Sequence, residues 1–328
     1  MNALRKMLYC VTVFGMAVSV LAWSLKAQGN QETGKRLHIL FIGNSYTARH
    51  NLAQVVKAMA EAGQPGLTVD VSSVIYGGRR LVDHWRLGTA NFVNLHRLTE
   101  AEGQATIAEL EKMVEKDPDD RYAKAAIRRH RQLLKSLDSQ RQTWDVVVLQ
   151  SYRDDLKGDA SLYVEYAPKF AELAREQGAR VILYETTPKT QNARPLSGKP
   201  DPSPILEKAR TIKRLAENTD ASVVPMSLAA LRCQTERPDL ALRFVNDAHL
   251  NQTMAYLTAC AFYAALFNRS PEGLPVNSIT DIRFLDNRDR DKDRDGGPIT
   301  RTFSRKDCAD MQRIAWQAYR QFQSLEVQ

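Results

Sequence analysis

The chain has 328 residues, enough for one large domain or two small ones. With 43% apolar and 26% charged residues it can build a sizeable core, which excludes global disorder. Its net charge of +8 is mild and dispersed, and three of its bases, Arg5, Lys6 and Lys26, lie in the first 27 residues. No nucleic-acid partner is expected from such a balance.

Residues 1–27 read as an export leader. Arg5 and Lys6 form a basic head, an apolar run extends from Leu8 to Trp23, and the small residues Ser24 and Ala27 offer cleavage points. An uncleaved anchor is the rival reading, because the run approaches the roughly 18 residues that span a bilayer. The expected location is periplasmic or extracellular, with membrane contact only through residues 1–27 if they are retained. Cys233, Cys260 and Cys308 remain after cleavage; an odd number allows one disulfide at most, and none has the C-x-x-C spacing of a zinc site.

Five short apolar runs predict strands: Leu37–Ile42, Leu67–Ile75, Asp145–Leu149, Arg180–Tyr184 and Ala221–Pro225. Most are continuous and not alternating, as in parallel strands buried on both faces. Helices fit between them. Leu52, Val55, Val56 and Met59 recur at helical spacing, Tyr163–Gln177 and Ile205–Asn218 fill two later gaps, and Thr253–Phe267 is apolar nearly all round. The alternation predicts a doubly wound α/β sheet with helices on both faces, spanning about 35–328. Charged residues at about 96–142 predict two inserted helices broken at Asp117-Pro118-Asp119-Asp120. They are read either as a cap beside the site or as a solvated hairpin.

Residues 286–297 alternate acids and bases. Asp291, Asp293, Asp295 and Gly296 match the front of a calcium loop, but Thr302 stands where the closing glutamate belongs. The interleaved arginines repel a cation, so a solvated loop and no metal are expected.

Four segments carry candidate chemistry. In Gly43-Asn44-Ser45-Tyr46, a serine falls between the first strand and a helix, where ligands bind in open α/β sheets. Backbone N–H groups and the positive end of the helix dipole favour negative charge there, although Ser45 or Thr47 can equally be a simple helix cap. Near the C-terminal end, Asn246-Asp247-Ala248-His249 offers an imidazole to activate the hydroxyl. The imidazole in turn needs an orienting carboxylate, and Asp247 or another acid must supply it. Gly77-Gly78 after the second strand and Gln150 at the end of the third can donate hydrogen bonds to an oxyanion. Asn44, Tyr46 and His84 are candidates for substrate contact, with a plain helix histidine near Trp85 as the alternative for His84.

Together these blocks resemble the SGNH/GDSL hydrolase superfamily. The matching stretches are Gly43-Asn44-Ser45, Gly77-Gly78, Leu149-Gln150-Ser151 and Asn246 to His249, over roughly Leu37 to Pro271. LFIGNSYT, GGRRLVDHW, WDVVVLQS and AHLNQTMAYLTACAFYAALF are similar to a bacterial branch that reads GNS for GDS and uses glutamine in the third block. The resemblance implies a three-layer α/β/α sandwich with a flavodoxin-like, parallel five-stranded sheet. It implies a serine esterase without cofactor, acting on small acyl groups, often acetyl groups on carbohydrates. The family's aspartate lies three residues before its histidine, where this chain has Asn246. That departure leaves three readings open: Asp247 serves, a Ser–His pair works alone, or the protein is an impaired, carbohydrate-binding relative. An acyltransferase would use the same residues.

Overall fold

The computed structural model of the chain describes residues 34–151, 162–186, 191–282 and 290–327. The leader and the first part of the Asp/Arg-rich loop lie outside the described residues.

Five strands form the central sheet: β1 (Arg36–Gly43), β2 (Thr68–Ile75), β3 (Val146–Leu149), β4 (Arg180–Tyr184) and β5 (Ala221–Val224). All pairs are parallel, in the order β2-β1-β3-β4-β5. The register brings the strand ends level, with Gly43 beside Ile75, Ile42 beside Leu149, and Leu149 beside Leu183. The loops after β1, β2 and β3 therefore emerge on one rim. Ile39, Phe41 and Ile42 of β1 and all of β3 are buried, as continuous apolar runs predict. β2 departs from that pattern because it is an edge strand, and it exposes Thr68, Ser72 and Ser73.

After β1 come α1 (Ser45–Ala48), a 3-10 turn (Arg49–Asn51) and α2 (Leu52–Gly63). Between β2 and β3 lie α3 (Leu81–Arg86), α4 (Ala90–Val93), α5 (Glu100–Lys116), α6 (Arg121–Lys135) and α7 (Leu137–Gln140). α8 (Leu162–Glu176) precedes β4, α9 (Ser203–Asn218) precedes β5, and α10 (Met226–Glu236) follows it. Next is α11 (Gln252–Phe267), buried along its length from Gln252 to Leu266 because it has no polar face. It packs against α2, β5 and α10, while α8 packs against β3, β4, α3 and α4, so helices cover both faces of the sheet. Rings interlock across one layer boundary, with Phe262 lying 5.7 Å from Phe41 and 5.1 Å from Tyr184.

Beyond α11 the chain adds elements not expected from the strand runs. β6 (Ser278–Thr280) pairs antiparallel with β7 (Thr300–Thr302), and α12 (Arg305–Gln323) packs on α10 and α11. α12 buries Cys308, Met311, Ile314, Ala315, Ala318, Tyr319 and Phe322, a helical period that is visible in the sequence. Cys233, Cys260 and Cys308 are all buried and unpaired.

The inserted helices α5 and α6 pack on each other. Thr99 and Glu102 cap the first in a reciprocal box, and Asp120 caps the second by accepting from Tyr122 and Ala123. α6 is tied to the sheet edge, since Arg129 donates to the carbonyl of Ser73 at 3.2 Å and Tyr122 donates to that of Gly77 at 2.7 Å.

Candidate active site

The turn after β1 is held from below. The Gln150 carboxamide oxygen accepts the Asn44 N–H at 2.8 Å and the Thr47 hydroxyl at 3.2 Å. Asn44 caps α1 by accepting the Tyr46 N–H, and its amide donates to the Arg79 carbonyl at 3.0 Å. Glycine is required at 43 by close approach: a Cβ there would lie 2.5 Å from Thr47 Oγ1 and 2.6 Å from Gln150 Oε1. The helix that opens at Ser45 lasts four residues, because His50 and Asn51 are both left-handed, at φ 56° and 52°. Behind Ser45 there is therefore one turn of N–H groups and no long helix dipole.

His249 meets this turn from the loop before α11. Its Nε2 lies 2.8 Å from Ser45 Oγ, and its Nδ1 lies 2.5 Å from Asp247 Oδ1. The same Asp247 oxygen accepts the His249 N–H at 3.1 Å. A short side chain bonding the backbone two residues on is an Asx turn, and here it also puts the carboxylate in reach of the ring. That local geometry is why a spacing of two suffices. Asn246 does not take this role: it is exposed, and its backbone N–H binds Asp295 Oδ1 at 3.0 Å. Tyr46 packs its ring 5.4 Å from the imidazole and donates its hydroxyl to the Ala248 carbonyl at 3.0 Å.

Arg49 completes the arrangement and was not among the residues singled out in the sequence. Its Nη2 donates to Asp247 Oδ2 at 2.6 Å and lies 3.2 Å from His249 Nδ1. An ionised carboxylate only accepts, so the proton on Nδ1 faces Asp247 and Nε2 is left to accept from Ser45. Desolvation, the largest influence on Asp247, pushes its carboxyl up. The hydrogen bond from His249 and the charges of His249 and Arg49 outweigh it, holding the group at about 2. Behind Arg49, the buried Asp281 carboxylate lies 4.0 Å from Arg49, 3.6 Å from His50 and 3.9 Å from Arg294. The signal for Arg49 was its place one helical turn after Ser45; nothing in the sequence marked Asp281.

The Asp/Arg-rich loop braces the segment that carries the base. Asp295 accepts the N–H groups of Val245 and Asn246 at 2.8 and 3.0 Å. Asp293 accepts those of Asp295 and Gly297 at 2.9 and 2.8 Å. Among the described residues no cluster of three or more His, Cys, Asp or Glu side chains is placed to hold a metal, and no helix is long and apolar enough to cross a membrane.

Gly77 and Gly78 lie at the end of β2, next to the nucleophile turn, where the Tyr76 N–H donates to the Gly43 carbonyl at 3.1 Å. Gly78 has φ +69°, a conformation that favours glycine, and a Cβ at either position would meet nothing within 4 Å. Gln150 is a correction. It is fully buried, its oxygen is fixed as an acceptor by the Asn44 N–H, and its amide donates to the Ser151 carbonyl. One of its two amide hydrogens is spent in this way and the side chain has no exposed surface, so it shapes the turn from beneath. Asn44 is likewise buried with both side-chain atoms engaged, so it does not face a substrate. His84 is a third correction. It is fully buried between the Thr89 hydroxyl at 3.1 Å and the Gly43 carbonyl at 2.9 Å, and burial lowers its pKa to about 4.

No protein-family model matches the chain, and no curated protein matches it significantly. Among solved structures, a DUF4886 family protein from Bacteroides uniformis ATCC 8492 is 15% identical with a TM-score of 0.47, over 87% of this chain and 95% of that one. A candidate SGNH hydrolase from Slackia heliotrinireducens is 17% identical with a TM-score of 0.42, over 71% and 100%. TesA is 15% identical with a TM-score of 0.34, over 70% and 94%. In its sheet order and its four sequence blocks, the chain resembles the SGNH/GDSL hydrolase superfamily.

Proposed function

We propose that the chain is an exported serine esterase that hydrolyses small acyl esters through Ser45. The observation that carries this reading is the continuous line from Ser45 Oγ to His249 Nε2 at 2.8 Å and from His249 Nδ1 to Asp247 Oδ1 at 2.5 Å. His249 takes the Ser45 proton as the oxygen attacks the ester carbonyl. The N–H groups of Ser45 and of Gly77 or Gly78 hold the tetrahedral oxyanion; one such donor is worth about 3–4 kcal/mol in comparable sites. His249 then protonates the leaving alcohol, and water, activated by the same imidazole, releases the acyl group. Asp247 stays ionised throughout and fixes the ring.

The acyl group is small, an acetyl group on a sugar or glycan, as the family resemblance implies. A non-catalytic binding role rested on Asn246 in place of an acid. The Asp247 carboxylate on the His249 ring supports the catalytic reading over it. The test is release of nitrophenol from p-nitrophenyl acetate. Wild type turns over and Ser45→Ala falls to the uncatalysed rate; equal turnover by the two would overturn the assignment.

A further inference from the structure

Two guanidinium groups sit beside the glycine loop of this site and share a single aromatic ring. Arg79 and Arg121 lie over Tyr122 with their central carbons 4.3 and 4.9 Å from the ring centroid. Their positions are tied to the reacting turn. The Arg79 carbonyl accepts from Asn44, the residue before Ser45. Arg121 donates to the Tyr122 hydroxyl at 2.9 Å, and that hydroxyl donates to the Gly77 carbonyl at 2.7 Å. Elsewhere Arg49, Arg97, Arg131, Arg237 and Arg313 each pair with an acid. Among the described residues no carboxylate pairs with Arg79 or Arg121, and Arg79 Nε is buried without an acceptor. The neighbouring acids are committed elsewhere. Asp83 accepts the Arg80 N–H at 2.9 Å, and Asp120 caps α6 and faces Arg86 at 3.6 Å. Two cations near one ring without a counter-charge raise the local positive potential, and an anion bound beside them is stabilised by it.

We propose that Arg79 and Arg121, with Tyr122 between them, recognise a carboxylate on the ester, so that the substrate class is an anionic ester such as an acylated acidic sugar. The proposal rests on the esterase reading for its reaction but not for its binding. It gives the inserted helix α6 a task, since Arg121 and Tyr122 bring its first turn to the glycine loop.

The experiment compares matched esters that differ by one charge. 4-Acetoxybenzoate is set against its neutral methyl ester, for an anion on the alcohol side. Mono-p-nitrophenyl succinate is set against p-nitrophenyl butyrate, for an anion on the acyl side. In wild type, kcat/KM for the anionic member of one pair exceeds that of its neutral partner by about tenfold or more, the size of one charge-assisted contact. Added salt shrinks that ratio. Arg79→Gln and Arg121→Gln bring the ratio towards one, and Arg79→Lys restores part of it; thermal melting checks that each variant is folded. In parallel, calorimetry measures binding of both members of each pair to Ser45→Ala, with and without Arg79→Gln. If esters are turned over through Ser45 with no charge preference in either pair, the anion site is wrong and the esterase reading stands. If no ester is turned over but the anionic members bind in an Arg79-dependent way, the anion site stands and the esterase reading falls. Neither turnover nor charge-dependent binding overturns both.

Discussion

His84 lies under the nucleophile turn with no solvent on it, so acid must work against the fold to charge it. Burial, the largest influence, takes its pKa from 6.5 down to about 4; the Gly43 carbonyl opposes this and the Arg129 charge adds to it. Between those two values the unfolded chain binds a proton that the folded chain does not, so stability falls as the pH falls through this window. The full gap is worth about 3 kcal/mol, of which about 2 kcal/mol is already lost at pH 5. Burial also lowers His50 and His130, which adds to the loss in the same direction. The depressed carboxylates act lower: Asp247, held at about 2, loses its contribution only as the pH falls below its unfolded value of 3.8. His84→Gln keeps a donor near Gly43 but cannot charge. The variant is less stable at pH 7 by about 1–2 kcal/mol for its weaker bonds, yet it loses about 2 kcal/mol less than wild type between pH 7 and pH 5. Urea unfolding followed by tryptophan fluorescence at the two pH values measures this. An equal loss in both proteins would refute the burial of a neutral His84 and return it to the substrate pocket.

Asp247→Asn keeps the shape of the His249 loop but removes the orienting charge, and kcat on p-nitrophenyl acetate drops by about 10⁴; a drop of less than tenfold would contradict the role given to Asp247. Gly43→Ala forces a methyl against Thr47 and Gln150, loosening the turn that carries Ser45. It costs about 1–3 kcal/mol of stability in urea melts and about a hundredfold in kcat/KM, whereas wild-type values in both assays would show that the approach is not tight. Arg237 donates to Asp239, Asp307 and Asp310, each at 2.7 Å, and so fastens the end of α10 to the start of α12. Arg237→Ala lowers stability by about 2–4 kcal/mol; a change within experimental error would mean that the network is dispensable.

The sequence shows most of what depends on chain-local pattern. β1, β3 and β4 stand where continuous apolar runs place them, and α11 is buried because no face of it is polar. Ser45 and His249 are legible because each closes or precedes a predicted element. What is not legible is where side chains turn once the rim is assembled. Gln150 looks like a free donor at a strand end, but the Asn44 N–H above it claims its oxygen and fixes the amide the other way. His84 looks like a pocket residue because it follows two glycines, yet the Gly43 carbonyl draws it inward. Arg49 and Asp281 are 232 positions apart and meet only through the fold. The aspartates of the last loop match only the front of a calcium loop by spacing, and what the sequence does not show is that Asp293 and Asp295 accept backbone N–H groups.

The central claim is that the Ser45 hydroxyl is made nucleophilic by His249. Labelling with a fluorophosphonate probe, followed by mass spectrometry of the peptides, tests it without knowledge of the substrate. An adduct on Ser45 that disappears in His249→Ala is the predicted result. A folded wild-type protein that stays unmodified, or one that carries the adduct on another residue, would contradict it.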